Sequence, residues 1–184
     1  MDIGIIGIGL MGRAFVERYL SQGYTVRVFN RTQNNVKDLA ESGVIVCNAA
    51  DELIELSDTI ILMVSDADAI SNLLQLDNKQ KDLHAKTILQ MATISPTQSK
   101  EIGEVITACG GHYMEAPVLG SIPEAKIGTL IIMAGGSKDV FDNVLPTLQV
   151  LGTAPRYIGE TGSAAALKLA MNQLIASLTA GFSL

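Results

Sequence analysis

Cysteine, histidine and positive charge are all scarce in this sequence. The 184 residues include two cysteines and two histidines. Cys47 and Cys109 lie far apart with no companion ligands at metal-binding spacing, so neither a metal site nor a disulfide framework is expected. They read as small buried hydrophobes in a reducing compartment, and the chain reads as cytoplasmic. Thirteen basic residues face 19 acidic ones, for a net charge of −6. A surface of that sign repels a phosphate backbone, which excludes non-specific nucleic-acid binding. The N-terminus has no basic stretch, and Asp2 sits where a signal peptide would be positive. No tract is biased enough to be disordered, and there is no internal repeat and no linker. With 48% apolar residues, this length suits one domain with a real core and is too short for two large ones.

Glycine, in contrast, is concentrated where it matters. Ile3 to Ile6 is a short apolar run, followed by Gly7-Ile8-Gly9-Leu10-Met11-Gly12 and then a helical stretch from Arg13 to Leu20. A buried strand, a glycine turn and a helix suit a diphosphate. Gly7 allows the sharp turn, Gly9 lets the backbone approach the pyrophosphate, and Gly12 lets helix and strand pack closely. The free N–H groups and dipole of the helix start then face the anion. Tyr24 to Asn30 reads as the second strand. An acid normally ends this strand when the ligand is NAD, gripping the ribose 2′-hydroxyl. Here Asn30, Arg31 and Thr32 stand at its end. An amide, a guanidinium fork and a hydroxyl suit a 2′-phosphate, so NADP is expected rather than NAD. Thr32 also reads as the cap of a following helix.

Strands and helices alternate from there on. Thr32 to Ser42 reads as a polar helix stopped by Gly43, Val44 to Cys47 as a third strand, and Asn48 as the cap of a helix from Ala49 to Leu56. Thr59 to Val64 is an apolar central strand, and its end at Met63 and Val64 is where ligands sit in open α/β sheets. Asp66 and Asp68 read as helix-start residues rather than a catalytic pair. Asp77 to Lys86 is a polar surface connection with a solvated His84. Thr87 to Met91 is the fifth strand. Thr93 stands at its carboxyl end as a candidate cofactor or substrate contact, while Ser95 and Pro96 open a helix running to Cys109. His112 to Ala116 is a strand with a structural His112, and Pro117 to Ser121 is a loop. A short helical connection covers Ile122 to Gly128, and Thr129 to Ala134 is a further strand. A helix capped by Ser137 runs to Leu145, with Pro146 near its end or at a kink, and Arg156 to Ile158 is the last strand. This alternation predicts a mainly parallel sheet with helices on both faces.

Ser163 to Leu184 is apolar on nearly every face, with Lys168 its one charge. About twenty apolar residues suffice to span a membrane. Lys168, Asn172 and Gln173 near the middle argue against a span, because polar groups in lipid are costly. A helix buried by protein on all sides is the better reading. Lys168 and Asn172 are four apart and share a face. From spacing alone Lys168 has two readings: it snorkels its amine to water, or it holds the amine in a cleft with a depressed pKa, suited to proton transfer.

Four motifs in order resemble the β-hydroxyacid dehydrogenase family, which includes 3-hydroxyisobutyrate dehydrogenases, tartronate semialdehyde reductases and glyoxylate/succinic semialdehyde reductases. Gly7-Ile8-Gly9-Leu10-Met11-Gly12 looks like its cofactor loop. Gln90-Met91-Ala92-Thr93-Ile94-Ser95-Pro96 is similar to its nicotinamide-side segment. Glu115-Ala116-Pro117-Val118-Leu119-Gly120-Ser121, with Gly128-Thr129-Leu130, resembles its substrate loop, and Gly159-Glu160-Thr161-Gly162 with Lys168 and Asn172 its catalytic segment. The resemblance covers the entire chain. It implies a doubly wound, Rossmann-like α/β domain over residues 1–160. Residues 161–184 would begin a long interdomain helix, whose all-α partner domain is missing. It implies hydride transfer between NADP(H) and a small β-hydroxyacid or its semialdehyde or 2-oxoacid, a small-molecule carboxylate. Lys168 would exchange the proton with the substrate oxygen, and Asn172 would hold the substrate or orient the amine. Gly120 and Ser121 would take the carboxylate, beside Leu119 where the family has serine. Thr93, Met63 and Val64 would line the cofactor. Glu115, in place of the more usual Asp, is as in the semialdehyde and glyoxylate reductases, and Asn30-Arg31-Thr32 is what the NADP-preferring members show. A homo-oligomer joined through the C-terminal helix is expected. A non-catalytic NADP-binding module and an imine reductase are the alternatives.

Overall fold

The computed structural model describes residues 2–77 and 82–183, so part of the polar connection after Asp77, and Leu184, lie outside the described residues. The elements in order are β1 (Asp2–Ile6), α1 (Leu10–Ser21), β2 (Thr25–Phe29), β3 (Ile45–Val46), α2 (Ala50–Leu56), β4 (Thr59–Leu62), α3 (Ala67–Leu74), β5 (Thr87–Gln90) and α4 (Pro96–Ala108). Then follow β6 (His112–Glu115), β7 (Val118–Leu119), α5 (Ile122–Ile127), β8 (Ile131–Gly136), α6 (Lys138–Leu151), β9 (Arg156–Gly159) and α7 (Ser163–Phe182). The strands lie in the order β3-β2-β1-β4-β5-β6-β8-β7, with β9 paired to β8. From β3 to β6 every pairing is parallel. The chain runs outward from β1 to one edge, returns, and builds the other half from β4. The carboxyl ends of β1 and β4 therefore flank a crevice.

Side chains along the strands alternate between two cores. Ile61 and Leu89 join Phe15 and Tyr19 of α1 and Leu148 of α6 on one face. Ile60, Leu62 and Ile88 join Leu53, Ile70 and Ile106 of α2, α3 and α4 on the other. Both faces of the parallel strands are thus covered, which explains their near-continuous apolar sequences.

Five local expectations are corrected. The expected polar helix after Thr32 is two 3-10 segments, Gln33–Asn35 and Lys37–Ser42, separated at Val36. Burying Val36 and Leu39 against the core takes precedence over a continuous helix in this weakly helix-forming stretch. Thr32 makes no side-chain cap bond there. Asn48 does not cap α2: Ala49 stands at the cap, and the Glu52 carboxylate accepts the Asn48 N–H at 2.7 Å. Helix α6 continues through Pro146 to Leu151. Pro146 faces solvent, so its missing N–H leaves only an outer carbonyl unbonded, while buried Leu148 and Leu151 hold the last turns. Finally, β7 and β8 form an antiparallel pair, Leu119 opposite Ile131, and β6 also meets β8 antiparallel. The connection from β7 to β8, residues 120–130 with α5 inside it, falls just short of the dozen or more residues that a parallel crossover needs.

Helix α7 leaves the sheet. Ala164 and Ala165 are its buried residues. Leu169, Leu174, Ile175, Leu178 and Phe182 are exposed, Phe182 at 88%. Among the described residues no helix is long and apolar enough to cross a membrane.

Candidate functional site

The glycine loop joins β1 to α1 at the crevice. Gly7 has φ +96°, and a Cβ there would collide with the Met63 carbonyl oxygen. A Cβ on Gly12 would collide with the Gly7 carbonyl oxygen, so the first turn of α1 rests directly on the loop. Gly9 differs: no atom lies within 4 Å of the position its Cβ would take. Its missing side chain faces open space. The first intrahelical bond of α1 runs from Arg13 N–H to the Gly9 carbonyl at 2.9 Å. The N–H groups of Leu10, Met11 and Gly12 therefore lack partners inside the helix. No acid stands in the first turn of α1 to neutralise its dipole. Ile8 is buried beneath the loop, Met11 packs partly on the core, and Leu10 is exposed.

Asn30 ties this loop to the end of β2. Its Oδ1 accepts the Ile8 N–H at 2.9 Å, and its Nδ2 donates to the Thr32 carbonyl at 2.9 Å. The amide is therefore a brace. Arg31 is exposed and Thr32 exposed beside it, both free to face a ligand. A cavity of about 420 Å³ opens here, lined by Gly7, Gly9, Asn30, Arg31, Thr32, Met63 and Val64 together with Ser65, Ala69, Asn72 and Leu73. The sequence reading missed the α3 wall of Ala69, Asn72 and Leu73, whose three- and four-residue spacing was the available signal. Asp66 heads α3 and accepts the Ala69 N–H at 2.8 Å. The Ser65 hydroxyl, then that N–H, with Arg31 contributing further, hold its carboxyl below the usual range. It serves the helix start, as expected.

The remaining candidates lie outside this cavity. Thr93 is exposed between β5 and α4, where Ser95 and Gln98 form a full capping box and Pro96 opens the helix. Gly120 has φ +125° and is exposed. The Ser121 N–H is taken by the Glu124 carboxylate at 2.7 Å, and Leu119 lies half-buried in β7. Lys168 is half-buried on α7, and burial lowers its pKa from the ordinary lysine value. Asn172 is exposed one turn further along. His84 and His112 are exposed, and Cys47 and Cys109 are free thiols. Among the described residues no cluster suits a metal ion. Sequence reasoning also missed the buried Glu115 side chain, which accepts N–H groups from the start of α7. Its acidic type alone gave no sign of that reach. A larger groove, about 770 Å³, runs between α4 and α6 past Lys100, Tyr113 and Asp139, and of the residues in the four resembling motifs it is lined by Thr161.

Known proteins share this design. Residues 2–159 match the family model described as the NAD binding domain of 6-phosphogluconate dehydrogenase. The chain is 35% identical over 185 residues to glyoxylate/succinic semialdehyde reductase 1 of Arabidopsis thaliana, covering 100% of this chain and 64% of that protein. It is 34% identical over 179 residues to the cytokine-like nuclear factor N-PAC of Drosophila melanogaster, covering 94% of this chain and 29% of that protein. An imine reductase from Myxococcus stipitatus, solved with NADP+, matches with a TM-score of 0.91 at 28% identity, covering 99% of this chain and 64% of that one. The chain thus spans less than two thirds of the length of these relatives. With a glycine loop, crevice and sheet order of one design, and a model match from β1 through β9, the chain belongs to the family of NAD-binding domains described for 6-phosphogluconate dehydrogenase.

Proposed function

We propose that this chain binds NADP(H) and serves hydride transfer between the nicotinamide and a small β-hydroxyacid, or its semialdehyde or 2-oxoacid. The observation that carries the reading is the open space at Gly9, set against an acid-free helix start and continuous with the cavity beside Arg31 and Thr32. A diphosphate fits where a Cβ would otherwise stand, held by the N–H groups of Leu10, Met11 and Gly12. Arg31 and Thr32 take the 2′-phosphate, with Asn30 bracing them. Met63, Val64 and Thr93 line the rest of the cofactor's path. When bound, the nicotinamide supplies the hydride chemistry. Lys168 holds the proton exchanged with the substrate oxygen, its amine poised by burial. Asn172, on the same helix face, orients the substrate, and the Gly120 backbone meets its carboxylate. Residues 1–160 act as the cofactor domain of a cytoplasmic protein, and α7 as the first part of an interdomain helix.

Two measurements test this. Calorimetric titration is expected to give tighter binding of NADPH than NADH. Arg31→Ala should shrink the gap about tenfold to a hundredfold, the worth of one charge-assisted contact; equal affinities in the unmodified chain would sink the cofactor assignment. Lys168→Ala, in a form that turns over, should lose about a hundredfold or more of activity with NADPH affinity intact.

A second reading has its own support. Leu119 in place of a hydroxyl, and the Glu124 carboxylate on the Ser121 N–H, both weaken a carboxylate site. They favour an NADP-binding module without chemistry. Failure of every small hydroxyacid and aldehyde to turn over, with NADPH still bound, would support it.

A further inference from the structure

Helix α7 begins at Gly162, a residue with φ +98° and no side chain to cap the helix, and its first turn holds no acid. The cap comes from elsewhere. Glu115, at the carboxyl end of β6, is 1% exposed. Its Oε1 accepts the N–H groups of Gly162 at 2.9 Å, Ala164 at 2.8 Å and Ala165 at 3.2 Å. Its Oε2 accepts the Ser99 hydroxyl of α4, which lies 2.8 Å from the Tyr113 hydroxyl. One buried carboxylate thus joins a strand, a helix and the start of another helix some fifty residues on. A carboxylate suits the positive end of a helix dipole, where the first N–H groups lack partners inside the helix.

The neighbouring strand leaves room for it. Gly135 of β8 stands opposite Glu115 in register. A Cβ on Gly135 would overlap Glu115 Oε1, and its three nearest atoms would all belong to the Glu115 side chain. Gly135 has no positive φ that would demand glycine. Its lack of a side chain is therefore explained by this carboxylate alone.

Lys168 follows Ala164 by four residues and Ala165 by three, so it lies one turn above the pinned N–H groups on the same face. Asn172 lies one turn higher. Three N–H groups held at one oxygen fix both the depth and the rotation of the helix. We infer that Glu115 is a positioning residue for the proposed hydride-transfer site: by anchoring the first turn of α7 to the end of β6, it sets where the Lys168 amine is presented. The inference rests on the role assigned above to Lys168. A displacement of about 1 Å at such an amine is enough to cost on the order of a hundredfold in rate.

The test uses two charge-conserving variants of the 184-residue chain. Gly135→Ala displaces the carboxylate without altering it. Glu115→Asp shortens its reach by one methylene, so it can no longer span Ser99 and α7 together. Amide exchange at Ala164 and Ala165 should accelerate about tenfold or more as the first turn opens. NMR titration of isotopically labelled lysine, with the signal assigned through Lys168→Arg, should show the Lys168 amine moving up toward the ordinary value as it regains water. NADPH affinity should hold within about twofold. Faster exchange with an unmoved Lys168 titration would make Glu115 a stabilising cap and nothing more. Unchanged exchange would show that the carboxylate does not hold α7. If Gly135→Ala does not fold, Glu115→Asp carries the same readouts. A wrong assignment of Lys168 itself would show differently: Lys168→Ala would keep its turnover while the titration still answered to Gly135→Ala.

Discussion

Three glycines in one loop have three different reasons to be glycine, and substitution separates them. Gly9 has an ordinary negative φ and empty space beside it. Gly9→Ala should leave the melting curve unchanged, within about 0.5 kcal/mol, and still weaken NADPH binding by about tenfold or more, because the methyl stands where the diphosphate approaches. Gly12→Ala meets the Gly7 carbonyl and should destabilise the fold by about 1–3 kcal/mol. Denaturation and titration of the two variants check this opposition; a destabilised Gly9→Ala would overturn it. Lys168 makes a pH prediction. Burial depresses its pKa in the folded chain, so the unfolded chain binds more protons between the folded and ordinary values. Its penalty is therefore present in full below the folded pKa and relieved as the pH rises from there to the ordinary value. Lys168→Met should raise the melting temperature at pH 7, with the gain fading toward pH ~10.4, the ordinary lysine value. An advantage constant with pH would show that the amine is not the cause.

Among the elements, α1 carries the loop and α6 holds α1 in place. The buried Tyr19 hydroxyl donates to the Thr147 carbonyl at 3.0 Å, just beyond Pro146. Tyr19→Phe removes this buried hydrogen bond and should cost about 0.5–1.5 kcal/mol in chemical denaturation. This clasp marks the limit of what the sequence discloses. Strand β1, the glycine loop and α1 were legible because period, glycine spacing and helix start agree within twenty residues. The apolar runs of β4 and β5 were legible because both their faces are covered. What was not legible depends on partners distant in the chain. Val36 breaks the expected helix because of what it packs against, and α6 passes Pro146 because Leu148 and Leu151 are buried. The antiparallel turn at β7 hides because a two-residue strand has no period. At the loop, Gly7, Gly9, Arg31 and Thr32 line one cavity, as residues at neighbouring strand ends do, while Asn30 proves to be a brace and Glu115 a cap, roles fixed by bonds to residues that no local motif names.

At the scale of the whole molecule, the uneven feature is α7, with apolar residues along its outer half and nothing over them among the described residues. Burying one such side chain is worth about 1.5–3 kcal/mol, so association through this helix is expected, most simply as a symmetric dimer. Sedimentation should show the dimer. Leu174→Glu with Leu178→Glu should return it to monomer without loss of NADPH binding; a monomeric parent chain at high concentration would refute the expectation. The clasp on α1 carries a further consequence, for the order of events during synthesis. Arg18 donates to the Val150 carbonyl across 132 residues, and Tyr19 reaches Thr147 across 128. A ribosome releases the glycine loop well before α6. For most of that interval the helix presenting the loop lacks one of the walls it packs against. The glycine loop is therefore made well before it is settled, and a nascent chain becomes able to hold a dinucleotide only once α6 has come back to meet α1.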